Sequence, residues 1–406
     1  MQTMKKEKLF NRNFVIIVIA IAALYIGYQV TGSVFSVFIN SLGNGAAVTG
    51  AISLAWTITA VIVRPLAGSL SDAKGTKKIA LLGGILFGAG LFAMIFVTNA
   101  YIILVLRIIQ ACGHACLITA SLTAAHKSVP LSRSGEGAFF FNGIPQTASQ
   151  FVGGNLGVAL VGVAGVSYVV GNSDYFMVFT VSTLLVVIAV LCNFLQKKDI
   201  EAESDSPAAE KKEEVSEEVI GKGISRVIEV SAIVPALIYL FGAIGFQGFQ
   251  SYVTLFASVN DLGGVGLFFT ANGIAQFVMC LFAGKITDKF GNLPILVPSL
   301  VLGALSYVYM IAGGTNFFVL GILWGVAAGL LKSPCIAMGM KRCPKGREGK
   351  TQGTLNIAFA AGLGLAAFVW GFVIDAFGFS GFFKGSIIMT LATLVFTIIA
   401  VKKMKM

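Results

Sequence analysis

The sequence predicts an all-α membrane protein with twelve transmembrane helices arranged as two six-helix repeats. Three observations carry that reading. Apolar runs fill the chain, basic residues crowd alternate loops only, and a polar stretch separates two halves that repeat the same turn. A helix crosses a bilayer core with about 20 apolar residues, and Phe14–Phe38, Ile79–Val97, Phe176–Phe194 and Ala232–Ala257 are runs of that kind. Of 406 residues, 56% are hydrophobic and 12% charged, half the charge of a soluble domain at about 25%.

The elements follow in order. The first run, 14–38, follows a basic N-terminal stretch and is not followed by a small-residue cleavage site, so it reads as a retained span. A loop near Gly43 leads to span two, 47–70, and a Gly/Asp turn leads to span three, 79–97. Asn99 precedes span four, 101–125, a basic loop precedes span five, 137–166, and a loop near Gly171 precedes span six, 175–196. The second half places spans near 229–257, 263–287, 293–313, 316–340, 352–376 and 379–401, with loops near Asn260 and Gly314. All runs are continuously apolar, which excludes the alternating strands of a barrel. A helix satisfies its own backbone groups in lipid.

Lysine and arginine fix the expected orientation. Lys5, Lys6, Lys8 and Arg12 share a side with Lys74, Lys77, Lys78, Lys127, Arg133, Lys285, Lys289, Lys341 to Lys350 and Lys402 to Lys405. The opposite loops carry none apart from Lys384 nearby. Positive loops stay inside, so both termini are expected in the cytoplasm. The net charge of +11 is this topology signal and not a nucleic-acid footprint. The stretch from Gln196 to Arg226 mixes glutamates and lysines and buries too little apolar surface to fold alone. The expected organisation is therefore 1–196, an N-terminal six-helix bundle, 197–226, a cytoplasmic linker, and 227–406, a C-terminal six-helix bundle. Five of the six cysteines lie in spans and Cys343 on the reducing side, so neither disulfides nor a metal site is expected.

The halves repeat one motif. Gly68, Asp72 and Gly75 follow span two, with Lys77 and Lys78 behind them. Gly284, Asp288 and Gly291 follow span eight at the same spacing. Glycine permits a tight turn and aspartate caps a helix or pairs with a cation. The same residues serve equally as a plain turn or as a gate between halves. Duplication at matching places points to a transporter built from repeats.

This pattern resembles the major facilitator superfamily over essentially the whole chain. The family's loop motif Gly-x-x-x-Asp-Arg/Lys-x-Gly-x-Arg/Lys-Arg/Lys matches Gly68, Asp72, Gly75, Lys77 and Lys78, with Ala73 where a cation is usual. Leu106-Arg107-Ile-Ile-Gln110-Ala-Cys-Gly113 resembles the family's Arg-x-x-Gln-Gly element. Arg64-Pro65-Leu-Ala-Gly68 and Arg133-Ser-Gly135-Glu136-Gly137 resemble the drug:proton antiporter-like branch, which includes metallophore exporters. The fifth-span Gly-Pro element departs, with Gly153-Gly154 and a displaced Pro145. The resemblance implies the superfamily fold, the cytoplasmic membrane of a bacterium, a monomer, and protons as coupling ion.

Polar residues within spans mark the expected route, because each is costly against lipid. Tyr25 and Gln29 share one face. Arg107, Gln110 and His114 form a stripe, as do Asn142, Gln146 and Gln150. Gln247 and Gln250, Asn272 and Gln276, and Asn356 complete the candidate cavity. Any single Asn or Gln serves equally as helix–helix glue. Arg107 and Lys332 are the deepest charges and no Asp or Glu sits deep in a span. A central charge costs about 2.5–3.5 kcal/mol, so both are expected to face a cavity, and a substrate bearing an anionic group is expected. His114 titrates near neutral pH when unperturbed, and a neutral hydrogen-bonding role fits it equally.

No His-Glu-x-x-His, Gly-x-Ser-x-Gly or Gly-x-x-x-x-Gly-Lys-Ser/Thr phosphate loop is present, so an enzyme and an ATP-driven pump are not expected, and no cofactor is. The expected function is secondary transport of a small organic solute by alternating access, as a proton-coupled efflux antiporter. The alternative is an organic-anion uniporter, exchanger or importer.

Overall fold

The computed structural model describes residues 11–129, 137, 139–161, 173–196, 229–344 and 347–403. The predicted linker 197–226, Arg133 and Glu136 lie outside them. Among the described residues every regular element is helical. They are α1 (Arg12–Ser41), α2 (Ala46–Lys74), α3 (Thr76–Ala93), α4 (Ala100–Lys127), a composite α5 over 139–160, α6 (Phe176–Phe194), α7 (Ile233–Phe246), α8 (Val253–Val259), α9 (Gly266–Phe290), α10 (Leu293–Ile311), α11 (Phe317–Lys341) and α12 (Glu348–Lys403). Nine of the described helices are long and apolar enough to cross a membrane.

Local chemistry sets the helix ends. Asn11 accepts from the Phe14 N–H at 2.7 Å, Asn99 from Tyr101 at 2.9 Å, and Asn316 from Phe318 at 3.0 Å, each satisfying an N–H that the first turn leaves open. The repeated turns share a geometry. Gly75 stands at φ 88° and Gly291 at φ 84°, and their N–H groups bond Ser71 O and Thr287 O. Both glycines occupy the left-handed region that a Cβ disfavours.

Three elements differ from the continuous spans of the sequence reading. Span five alternates π-helix (Phe139–Gly143, Ser149–Gly153) with α-helix (Ile144–Ala148, Gly154–Leu160). Span seven breaks after Phe246 into a 3₁₀ stretch, Gln247–Ser251, before α8. Spans eleven and twelve run together in α12, interrupted only at Gly378, φ 66°.

Buried side chains form two clusters. One joins Phe14, Leu24, Phe38, Phe87, Ile118 and Phe179 from the first half. The other joins Phe246, Phe268, Tyr307, Trp324 and Phe382 from the second. Large apolar residues cover the outside, among them Ile62, Ile85, Phe377 and Ile388. Such a surface suits acyl chains, which are as apolar as the side chains that meet them. The halves meet through α2 against α12 and α5 against α9. A Cβ on Gly50 would stand 2.5 Å from the Ala367 carbonyl oxygen, and one on Gly273 would stand 3.0 Å from the Phe151 nitrogen. Only glycine lets these helices approach so closely.

Candidate functional site

A cavity of about 190 Å³ lies between the halves. From the first half it is lined by Tyr28, Gln29 and Phe35 of α1, by Thr49, Ser53 and Trp56 of α2, by Arg107 of α4 and by Gln150 of α5. The second half contributes Gln247, Gln250 and Ser251 from the broken seventh span, and Leu363, Gly364 and Ala367 from α12. Arg107 is the one charged side chain among these lining residues. Four amides accompany it, and no carboxylate does.

Arg107 is 6% exposed. It donates to Gln110 Oε1 at 3.1 Å, and its guanidinium carbon sits 3.8 Å from the Phe35 ring centroid and 5.1 Å from that of Trp56. Stacking over rings and one amide hold the charge without neutralising it. Behind it, His114 is enclosed by the rings of Tyr28, Trp56 and Phe87, with centroids 5.0, 5.5 and 5.4 Å away. Among the described residues, neither ring nitrogen of His114 nor the amide nitrogen of Gln110 has a hydrogen-bond partner. A buried polar atom without a partner costs about 1–3 kcal/mol, so this cluster is tolerated at the expense of stability beside the cavity wall.

The break in the seventh span brings its glutamines to the cavity. Ending α7 at Phe246 frees backbone acceptors. The Phe246 carbonyl is taken by Tyr307 Oη at 2.9 Å and by Trp324 Nε1 at 3.0 Å. Tyr239 Oη donates to Gln247 Oε1 at 3.3 Å, and Gln250 Nε2 donates across the halves to Gln150 Oε1 at 2.6 Å. Irregular backbone is tolerated at membrane depth where it lines a cavity and its groups find partners.

The other predicted residues are not among those lining this cavity. Tyr25 is half-buried one turn away from the lining residues Tyr28 and Gln29. Gln146 is exposed, in the α-helical turn Ile144–Ala148 between the two π segments. Asn142 lies in the first π turn, and its side chain is outside the described residues. Gln276 donates to Asn272 Oδ1 at 2.9 Å. Asn272 is fully buried where α9 meets Gly321 and Gly325 of α11. Lys332 is half-buried with its Nζ 5.4 Å from the Phe359 ring centroid and is not among the lining residues. Asn356 is exposed and accepts from Gln352.

The gating residues divide likewise. Asp72 is exposed and meets Lys127 of its own half at 3.8 Å. Lys77 donates to the Gln196 carbonyl oxygen at 2.5 Å, closing the end of span six. Lys78 is exposed, and Gly68 is half-buried with Thr119 as nearest neighbour. Gly284 and Asp288 fall within α9, and their surroundings lie outside the described residues.

Sequence reasoning missed Tyr28, Phe35, Trp56, Thr49 and Ser53. Aromatic and small hydroxyl residues are ordinary in spans and carry no cost signal. The available clue on α1 was Gln29, which Tyr28 directly precedes and which Ser36, also a lining residue, follows two turns on along the same face.

Comparison with known proteins agrees with this architecture. The family model described as Major Facilitator Superfamily matches residues 17–265 and 237–405. An uncharacterized MFS-type transporter of Methanocaldococcus jannaschii is 21% identical over 393 residues, covering 94% of this chain and 96% of that protein. A multi-drug resistance efflux pump PmrA homolog of Lactococcus lactis is 25% identical over 343 residues, covering 79% and 80%. Among solved structures, the nucleoside transporter NupG superposes with a TM-score of 0.72 at 14% identity, over 98% of this chain and all of that one. A bacterial homolog of the human lysosomal transporter Spinster, inward-facing and unoccupied, gives 0.71 at 14% identity, over 96% and 94%.

Proposed function

The chain belongs to the Major Facilitator Superfamily, and from that premise we propose that this secondary transporter exports a small organic solute by alternating access in exchange for protons. The observation that carries the reading is the cavity itself. It draws its lining from both halves, so a rocking motion of one half against the other exposes the same residues first to one face and then to the other. Export is supported by the efflux-pump relative and by the Arg64-Pro65-Leu-Ala-Gly68 element. Gln29, Arg107, Gln150, Gln247 and Gln250 contact the solute in this reading, with Tyr28 and Trp56 as its apolar walls. The Lys/Arg-rich loops and both termini face the cytoplasm of a bacterium, and the bundles are 1–196 and 227–406 joined by 197–226.

A second reading, transport of an organic anion, draws on a specific observation. Arg107 lines the cavity, stacked on two rings, and no lining carboxylate answers it. A carboxylate or phosphate on the solute answers it with a bidentate pair, whereas a cationic solute meets only repulsion.

A thermal-shift screen of the purified protein against drugs, carboxylates and metallophores tests both readings, since a ligand that binds the folded state raises its stability. Stabilisation by a compound of any of these classes, lost in Arg107→Ala, supports the site. Stabilisation that survives Arg107→Ala places binding elsewhere. Selective stabilisation by organic cations sinks the anion reading.

A further inference from the structure

Helix α2 is capped by the other half of the molecule. Its own N-cap is Gly45, which has no side chain to offer, in contrast to the asparagines that begin α1, α4 and α11. Instead the Asp375 carboxylate of α12 accepts from the first two N–H groups of α2, Ala46 N at 2.7 Å and Ala47 N at 2.9 Å. Gly45 is needed for this approach, because a Cβ there would overlap the Asp375 carboxylate. Tyr252 tightens the same joint by donating to Ala46 O at 3.1 Å and to Ala367 O. Thr254 adds a bond to Ser33 O at 2.8 Å.

Apart from Tyr252–Ala367, which lies within the second half, these contacts join the halves on the Lys/Arg-poor side of the cavity. Ala46 stands one turn beyond the lining residue Thr49, and Asp375 two turns beyond Ala367. At the opposite end of α2, Asp72 is exposed and paired within its own half. We propose that Asp375 is a positioning residue of the transport cycle, a latch that holds the Lys/Arg-poor face closed by capping α2 from across the interface. A negative charge at a helix N-terminus is stabilised both by hydrogen bonds and by the helix dipole. Because donor and acceptor belong to different halves, opening this face breaks the cap, and the cap biases the equilibrium toward closure.

The proposal rests on the alternating-access reading, and the experiment separates the two. Thr49 is replaced by cysteine in a background whose native cysteines are serine. Among the described residues its hydroxyl has no hydrogen-bond partner, so the exchange is mild. A membrane-impermeant maleimide is added to the Lys/Arg-poor face of the full-length protein in intact cells. Asp375→Ala should raise the labelling rate about two- to thirtyfold, the range expected for loss of a helix cap. Gly45→Asp, placed in the Asp375→Ala chain, restores a cap within α2 itself and should leave labelling high. Labelling that returns to the parent rate would show that α2 needs only a cap, and the latch fails. Gly50→Val, which wedges the same interface, serves as reference. If it raises labelling while Asp375→Ala does not, the latch fails and alternating access stands. If neither variant changes labelling, alternating access fails and the latch with it.

Discussion

Gly50→Val should force apart the halves at the Lys/Arg-poor face. In the closed arrangement a Cβ at Gly50 would lie 2.5 Å from Ala367 O and 2.8 Å from Phe368 Cα. Both are backbone atoms, so no side chain can swing away. Valine adds two further methyl groups beside the α12 backbone. Overpacking of this kind costs about 1–3 kcal/mol, and the cost falls only on the state in which α2 and α12 touch. The closed-to-open ratio should therefore drop roughly five- to 150-fold. The assay is the distance between spin labels at Ser41 and Asn260, exposed residues on the same face of opposite halves. Pulsed electron resonance on the reconstituted protein should show the longer-distance population growing in Gly50→Val, with thermal stability near that of the parent. An unchanged distance distribution in a folded variant would refute the reasoning, because the interface would then yield without the halves separating.

Three further outcomes follow from the same geometry. Asp72→Asn should lower transport strongly while thermal stability falls little, since an exposed pair such as Asp72–Lys127 contributes about 0–1 kcal/mol; a large loss of melting temperature with normal flux would make the turn merely structural. Arg107→Lys keeps the charge but loses the planar fork and its bond to Gln110. A hydrogen bond to a charged group contributes about 1.5–3 kcal/mol, so anionic ligands found in the thermal-shift screen should bind at least tenfold more weakly, with neutral ligands little affected. A cysteine at Asn99, alone in the chain, should label only from the Lys/Arg-poor face, and labelling from the cytoplasm would reverse the topology.

Much of the fold was legible because lipid imposes one rule, and the rule shows as long apolar runs. The duplicated turn was legible for a local reason. Gly75 and Gly291 must both take positive φ, and the spacing to the preceding aspartate is kept in each copy. Arg107 was legible because a charge in a span is costly and needs a purpose. The breaks were not. Nothing near Phe246 announces the end of α7, since its freed carbonyl depends on Tyr307 and Trp324 from two other helices. The π turns in α5 are equally silent, and of its polar residues Gln150 lines the cavity while Gln146 is exposed. Spacing puts Asn272 and Gln276 on one face of α9, and there they bond each other. Nothing in the sequence singles out Asp375, because its partner is a backbone 328 positions away.

In the proposed function, one cavity built around Arg107 between the halves carries the solute across the membrane. Its most direct measurement is gradient-driven flux into everted vesicles of a carboxylate-bearing compound that stabilises the purified protein. Accumulation should be saturable, require an acid interior, show counterflow, and disappear in Arg107→Ala while that variant remains folded in the membrane. Accumulation at the parent rate in Arg107→Ala, or flux that never saturates, would contradict it.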